Sequence, residues 1–228
     1  PLSFPVIGVD GNVYVKSDKV YALNGQTGDK IWEFVAGENV TSTPVAIDSD
    51  GTVYVAANNK RLYALDGRTG VIKWEFATPD VVNSYAAIGT DGTIYIVAND
   101  KKIYALDART GTNKWESVVE VDPWASPAIG SDGTLYVGSD GTHDSTKLYA
   151  LNGQTGAKLW EFEVGGGALS PMLSADGLVY VVSYDKKLYA IQGSSGPADS
   201  PWPMLGQNAQ HTNRMPASSQ PTFVLTTG

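Results

Sequence analysis

The sequence predicts an all-β fold, a five-bladed β-propeller of four-stranded antiparallel blades. Three markers recur together about every forty residues along the 228-residue chain: an Asp-Gly pair, a Tyr-Ala-Leu or Tyr-Ala-Ile string, and in four copies a tryptophan. The middle strands of each repeat read as apolar on both faces, which suits a sheet buried between two neighbouring sheets. No segment carries a helical apolar period, so helical repeats are excluded.

The Tyr-Ala strings set the register of the repeats, with tyrosines at Tyr21, Tyr63, Tyr104, Tyr149 and Tyr189. The fourth copy shows all four strands, at 126–130, 134–138, 147–151 and 158–162. The Asp-Gly pair before the second strand predicts a hairpin turn, because glycine accepts the positive φ of a tight turn. The blades are therefore predicted at about 5–36, 43–78, 85–119, 126–164 and 169–196, with a closing segment at 197–228.

A longer motif follows each of the first four Tyr-Ala strings. In the first copy it reads Ala22-x-Asn24-x-x-Thr27-Gly28-x-x-x-Trp32, and the fifth copy carries Ser200 in place of the tryptophan. This pattern resembles the tryptophan-docking motif of the pyrroloquinoline-quinone (PQQ) enzyme repeat. The resemblance implies that each ring lies between blades against the glycine turn of its neighbour. The residues concerned are Trp32, Trp74, Trp115 and Trp160, with Gly28, Gly70, Gly111 and Gly156.

The fifth copy needs a fourth strand and a substitute aromatic residue if the ring is to close. Residues 201–205 offer Trp202, with prolines that an outer edge would tolerate, and we prefer this segment. Residues 222–226 have the better strand propensity, although they could instead begin a further domain. The Trp-Pro-Met and His-Thr strings of the tail resemble a segment often found where such bacterial propellers end. This favours a closed ring over a fragment of a larger propeller.

Composition removes several classes of function. The formal charge of −8 argues against nucleic-acid binding, and no apolar run is long enough to insert into a membrane. With no cysteine, disulfides and thiol catalysis are excluded. The two histidines, His143 and His211, fall in unrelated loops, which leaves little for a metal cluster or a catalytic triad. The string Asp48-Ser-Asp50-Gly51 predicts a hairpin turn and not a calcium loop.

The resemblance also bears on cofactors. Quinoprotein dehydrogenases with this repeat use eight blades to hold PQQ over a calcium ion, and they commonly add a vicinal cysteine pair. This sequence has five repeats and no cysteine. We therefore expect no cofactor, no metal and no enzymatic activity, with a PQQ-dependent dehydrogenase remnant as the weakest alternative.

Breaks in the repeat mark the candidate binding residues. The loop at 139–146 is longer than its counterparts and holds His143, while the connection into the fourth blade holds Trp124. Together with Tyr85 and Tyr184 they could form an aromatic platform for a sugar or a peptide. The other interpretation is that Trp124 only fills space between two blades. Basic and acidic residues occur in equal numbers on this predicted face, so it is mixed in charge.

The sequence thus favours a non-catalytic binding or scaffold module, a monomeric domain of a larger secreted, periplasmic or cell-surface bacterial protein. In this it resembles the propeller subunit of the outer-membrane β-barrel assembly machinery, which presents its surface to partners. A carbohydrate-binding, lectin-like propeller is the alternative. The partner is a protein or carbohydrate that the sequence does not identify.

Overall fold

The computed structural model describes residues 4–37, 45–118, 125–139, 147–200 and 202–205. These residues form five antiparallel sheets, one for each repeat, so the predicted all-β fold with five blades is confirmed. They contain no helix that is long and apolar enough to cross a membrane.

Blades one to four each have four strands, which pair in chain order from the innermost strand to the outermost. The strands of blades one and two are β1 (Val6–Ile7), β2 (Val13–Lys16), β3 (Val20–Leu23), β4 (Lys30–Phe34), β5 (Ala46–Ile47), β6 (Thr52–Ala57), β7 (Arg61–Asp66) and β8 (Ile72–Ala77). Those of blades three and four are β9 (Ala87–Ile88), β10 (Thr93–Val97), β11 (Lys102–Asp107), β12 (Asn113–Val118), β13 (Ala128–Ile129), β14 (Thr134–Gly138), β15 (Lys147–Asn152) and β16 (Lys158–Glu163).

Blade five differs from the others, because its described residues form only three strands. These are β17 (Met172–Leu173), β18 (Leu178–Val182) and β19 (Leu188–Gln192), paired in that order. In the other blades the third strand pairs on its outer side with a fourth. Within the described part of the chain, β19 is the outer edge of its sheet.

The motif turn between the third and fourth strands is built from its own polar side chains. In blade two the Asp66 carboxylate accepts hydrogen bonds from the backbone N–H of Thr69 and from its hydroxyl, both at 3.0 Å. These bonds favour the ionised form and lower the pKa of Asp66. The backbone then passes through Gly70 at a φ of 72°, a conformation that glycine adopts without steric cost. This explains why the acid, threonine and glycine recur at fixed spacing.

Burial follows the predicted stacking of blades. Strands β6, β10 and β14 are buried along their whole length, since each lies in a sheet covered on both faces. The outer strands β8 and β12 alternate exposed and half-buried residues. The blade core is therefore formed by the first three strands, and the fourth strand faces solvent at the rim.

The segment after blade five lies against the innermost strands of blades three and four. The backbone N–H of Ile88 in β9 donates to the Trp202 carbonyl at 2.6 Å, and that of Ile129 in β13 donates to the Pro203 carbonyl at 2.8 Å. Trp202 is 1% exposed and packs in a cluster with core residues of blades one to three. Proline has no N–H but keeps its carbonyl, so this segment can accept these bonds.

The position of Trp202 corrects one sequence prediction. Described residues 202–205 do not add an outer strand to blade five, and Trp202 is not the substitute aromatic at its rim. An outer edge exposes its side chains, whereas the innermost strands can bury a whole indole. The alternative strand at 222–226 lies outside the described residues.

Candidate interaction site

Tryptophans of the outer strands reach across to the next blade. The indole N–H of Trp32 donates to the Gly67 carbonyl at 2.7 Å, and those of Trp74 and Trp115 donate at 2.9 Å to the carbonyls of Ala108 and Gly153. Trp160 of blade four packs in a cluster with residues of blade five. Each ring also lies about 6 Å from a tyrosine of its own second strand. Contacts of this kind link the blades in sequence.

The rings of Trp32, Trp74 and Trp115 each lie against the motif glycine of the next blade. A Cβ added to Gly70 would lie 2.8 Å from the Trp32 ring, and one added to Gly111 or Gly156 would lie 2.6 Å from the ring of Trp74 or Trp115. Gly28 of blade one has the same positive φ, but a Cβ there would meet nothing within 4 Å. The described residues therefore place no ring on the turn of blade one.

Blade one also has one sheet face that is less buried than its counterparts. Val13, Val15, Tyr21 and Leu23 are all half-buried. The equivalent residues of blade two, Val53, Val55, Tyr63 and Leu65, are at most 5% exposed because blade one covers them. The described residues place nothing against this face of blade one, and closure of the ring stays a prediction.

The opposite end of the row of blades presents an apolar face on blade five. Val182 and its cross-strand partner Leu188 are 53% and 64% exposed, and Tyr184 in the following turn is 61% exposed. In blade four the corresponding face is buried, and its Tyr136 hydroxyl lies 2.9 Å from the Ser194 hydroxyl of blade five. We call Val182, Tyr184, Leu188 and Ala190 the blade-five face.

Charged side chains border this face. Lys187 precedes Leu188 and lies 3.2 Å from the Asp185 carboxylate, with Lys187 itself largely exposed. The Tyr189 hydroxyl donates to the same carboxylate at 2.7 Å. The hydrogen bond from Tyr189, followed by that from Lys187, lowers the pKa of Asp185 to about 2. Apolar area rimmed by charge in this way is typical of protein-binding patches.

The structure describes two of the four residues of the predicted aromatic platform, Tyr85 and Tyr184. Tyr85 is half-buried at the entry to blade three, where its backbone N–H donates to the Ser126 hydroxyl at 2.9 Å. Burial raises the pKa of its phenol. Tyr184 lies on the blade-five face, and the described ring pairs do not join it to Tyr85. Trp124 and His143 lie outside the described residues, so their part in the platform stays a prediction.

The structure contains one lysine whose burial the sequence analysis did not predict. Lys16 ends β2, is fully buried between blades one and two, and donates to the Ala56 carbonyl at 3.2 Å. Desolvation lowers the pKa of its ammonium group to about 7. In the repeat alignment its position holds Ala56, Val97, Gly138 and Val182, so a charged residue in this apolar row was the signal that could have revealed it.

Lys16→Met is expected to abolish a pH dependence of stability that the buried lysine causes, because methionine fills similar space and does not titrate. The folded-state pKa is below the unfolded value, so the unfolded state binds more protons between about pH 7 and 10.5. Stability of the parent chain should therefore rise with pH across that window. Urea unfolding at several pH values tests both effects. A Lys30→Met control, at an exposed site, should leave the pH slope unchanged, and an unaltered slope in Lys16→Met would contradict the prediction.

Comparison with known families identifies the repeat. Residues 16–126 and 122–222 match the PQQ-repeat family model described as outer membrane protein assembly factor BamB. The chain belongs to this BamB-like family. No curated protein matches its sequence.

Solved structures share the fold of this BamB-like chain. BamB from Moraxella catarrhalis is 23% identical with a TM-score of 0.71, covering 87% of this chain and 62% of that one. Quinohemoprotein alcohol dehydrogenase from Comamonas testosteroni is 19% identical with a TM-score of 0.65, covering 86% of this chain and 44% of that one. The computationally designed protein Ika8 is 14% identical with a TM-score of 0.67, covering 80% and 56%. The chain thus spans less than two thirds of each of these structures, and at these identities the likeness shows the fold alone.

The likeness to a quinohemoprotein raises the question of whether PQQ and calcium would fit. Calcium needs six to eight oxygen ligands that converge on one point. The described ranges contain no group of three or more acidic or histidine side chains that could hold a metal ion. Along the innermost strands, Trp202 and Pro203 already bond to blades three and four. The described residues of this BamB-like chain therefore do not fit a PQQ–calcium centre.

Proposed function

We propose that this BamB-like propeller is a non-catalytic scaffold that binds a protein partner through the blade-five face. The observation that carries the proposal is the exposure of Val182, Tyr184 and Leu188 on a sheet whose counterparts in blades two to four are covered. Family membership adds support, since the matching family is described as an assembly factor. A secreted, periplasmic or cell-surface location in a bacterium belongs to the same proposal.

The physical basis is the cost of leaving these side chains in water. Burying apolar surface stabilises a complex by roughly 25 cal/mol for each Å² removed from water. The patch also includes a tyrosine, a residue type enriched at the energetic centres of interfaces. Charged neighbours at its rim, Lys187 and Asp185, would set the orientation of the partner and contribute less to affinity.

Site-specific photocrosslinking tests the proposal. A photoreactive phenylalanine analogue at position 188 should crosslink one protein reproducibly in a bacterial envelope extract. The matched control is position 159 in β16, where Leu159 is also exposed, at 53%. Binding of the purified partner should then weaken at least tenfold in Leu188→Ser and less than twofold in Leu159→Ser.

Two results would contradict the scaffold. Equal crosslinking from positions 188 and 159 would mean that the blade-five face has no specific partner. Dye-linked alcohol oxidation by the purified chain with added PQQ and Ca²⁺ would show catalysis. A glycan array tests the carbohydrate alternative, and binding that persists in Leu188→Ser would move the ligand site away from this face.

A further inference from the structure

Among the described residues, no strand pairs with the outer edge of β19, whereas each of the other four blades has a fourth strand there. In blades one to four the outer strand pairs antiparallel with the third strand in one constant register. Tryptophan stands opposite the alanine of the Tyr-Ala string in every case, and glutamate stands opposite its tyrosine. Phenylalanine stands opposite the residue before that tyrosine in blades one, two and four.

Strand β19 presents the same three positions, as Leu188, Tyr189 and Ala190. Its neighbour β18 is paired in the register that its counterparts use, with Tyr180 opposite Ala190. The backbone template for a fourth strand is therefore complete on blade five. Edge strands of this kind accept an extended segment, whose main chain supplies the hydrogen bonds and whose side chains set the specificity.

Blade five carries a basic side chain with which an acid of such a fourth strand would pair. In the four complete blades the glutamate of the outer strand forms an ion pair with the base at the start of the third strand: Lys19–Glu33 at 2.7 Å, Arg61–Glu75 at 2.6 Å, Lys102–Glu116 at 2.7 Å and Lys147–Glu161 at 2.5 Å. Lys187 is the corresponding base of blade five. Its side chain is 69% exposed and lies near Asp185, a residue of its own turn.

We infer that the partner of the blade-five face adds an extended strand of the form Trp-Glu-Phe to β19. This inference rests on the proposed function and names the chemistry of its partner. The tryptophan lies opposite Ala190 and covers Tyr180, the acid lies opposite Tyr189 and pairs with Lys187, and the phenylalanine lies opposite Leu188. The added strand thereby covers the blade-five face.

A peptide copied from blade four of this chain serves as the binding probe. An acetylated and amidated peptide with the sequence of residues 157–164, Ala-Lys-Leu-Trp-Glu-Phe-Glu-Val, contains the required string. It should bind the full chain saturably by fluorescence anisotropy, and hydrogen exchange should slow at backbone amides within 188–192. A Trp160→Ser peptide should bind at least tenfold more weakly, because the indole provides most of the buried area.

A charge exchange tests the register. Lys187→Glu should weaken binding at least fivefold, and a Glu161→Lys peptide should restore binding to that variant. Lys186→Glu, one residue earlier in the turn, is the matched control with the same change in net charge, and it should alter binding less than twofold. Equal effects of Lys186→Glu and Lys187→Glu would overturn the assigned register.

The experiments give different results if the outer edge of β19 pairs with a segment of this chain or with a second copy of it. Peptide binding that appears only in full-length Val224→Pro would assign the edge to this chain's own residues 222–226 and overturn the inference. Dimerisation seen by sedimentation and abolished by Lys187→Glu would assign it to a second copy, with the same consequence. If the peptide does not bind but the analogue at position 188 still crosslinks a protein, only the inferred strand addition to β19 would be overturned. If neither peptide binding nor specific crosslinking from position 188 is seen, the proposed function would be overturned as well.

Discussion

Gly111→Ala is expected to lower the free energy of unfolding by about 2–5 kcal/mol, a larger loss than alanine causes at turn glycines that lie against no tryptophan ring among the described residues. Gly111 has a φ of 72°, where an alanine costs about 1–2 kcal/mol. An added Cβ would also lie 2.6 Å from the Trp74 ring, and such overpacking costs about 1–3 kcal/mol more. Urea unfolding monitored by circular dichroism measures the total.

Alanine substitutions at two other glycines measure the part of this loss that comes from the contact with the Trp74 ring. Gly92 has a φ of 71°, and a Cβ added there would meet nothing within 4 Å. Gly28 occupies the same place in the motif as Gly111, but no described residue places a ring against it. Gly92→Ala and Gly28→Ala should each cost only about 1–2 kcal/mol. If all three variants lost the same free energy, the contact between Trp74 and the turn of blade three would not contribute to stability.

Trp202→Ala is expected to destabilise the protein by about 3–5 kcal/mol, the usual range for a buried tryptophan. The side chain is 1% exposed, and its backbone carbonyl accepts the hydrogen bond from Ile88. Thermal and urea unfolding should both report the loss. Because the ring packs with residues of blades one to three, the whole domain should be affected and not blade five alone.

Phenylalanine substitutions provide the matched comparison. The buried indole N–H of Trp202 has no hydrogen-bond partner among the described residues, so Trp202→Phe removes no described bond and relieves an unsatisfied donor. Trp74→Phe removes the bond to the Ala108 carbonyl. Trp202→Phe should therefore cost less than Trp74→Phe, and the reverse order would contradict the described environment of Trp202.

The repeat made most of the fold predictable, because it encodes local structure and packing together. The Asp-Gly turns, the Tyr-Ala strings and the motif glycines each recur at a fixed place. The resemblance implied that each ring lies against the glycine turn of a neighbouring blade, and Gly70, Gly111 and Gly156 each lie against the tryptophan of the preceding blade. Periodicity carries such information, since every copy must fit the same two neighbours.

Features that do not repeat could not be predicted in this way. Trp202 occurs once, between two prolines, and nothing in its local sequence distinguishes an outer edge from the innermost strands. The exposure of Leu188 also depends on what covers blade five, although its string matches the buried ones of the other blades. Lys16 was detectable by alignment of the repeats, but its burial follows from the packing of blade two.

The hydrogen bonds of the segment after blade five bear on the order in which the molecule can assemble during synthesis. Contacts between successive blades join residues 34 to 38 positions apart through their tryptophans, so each blade can dock soon after it leaves the ribosome. The Ser200 hydroxyl bonds to the Ile88 carbonyl over 112 positions. The innermost strands of blades three and four therefore cannot form these hydrogen bonds until residues 200–203 have been translated.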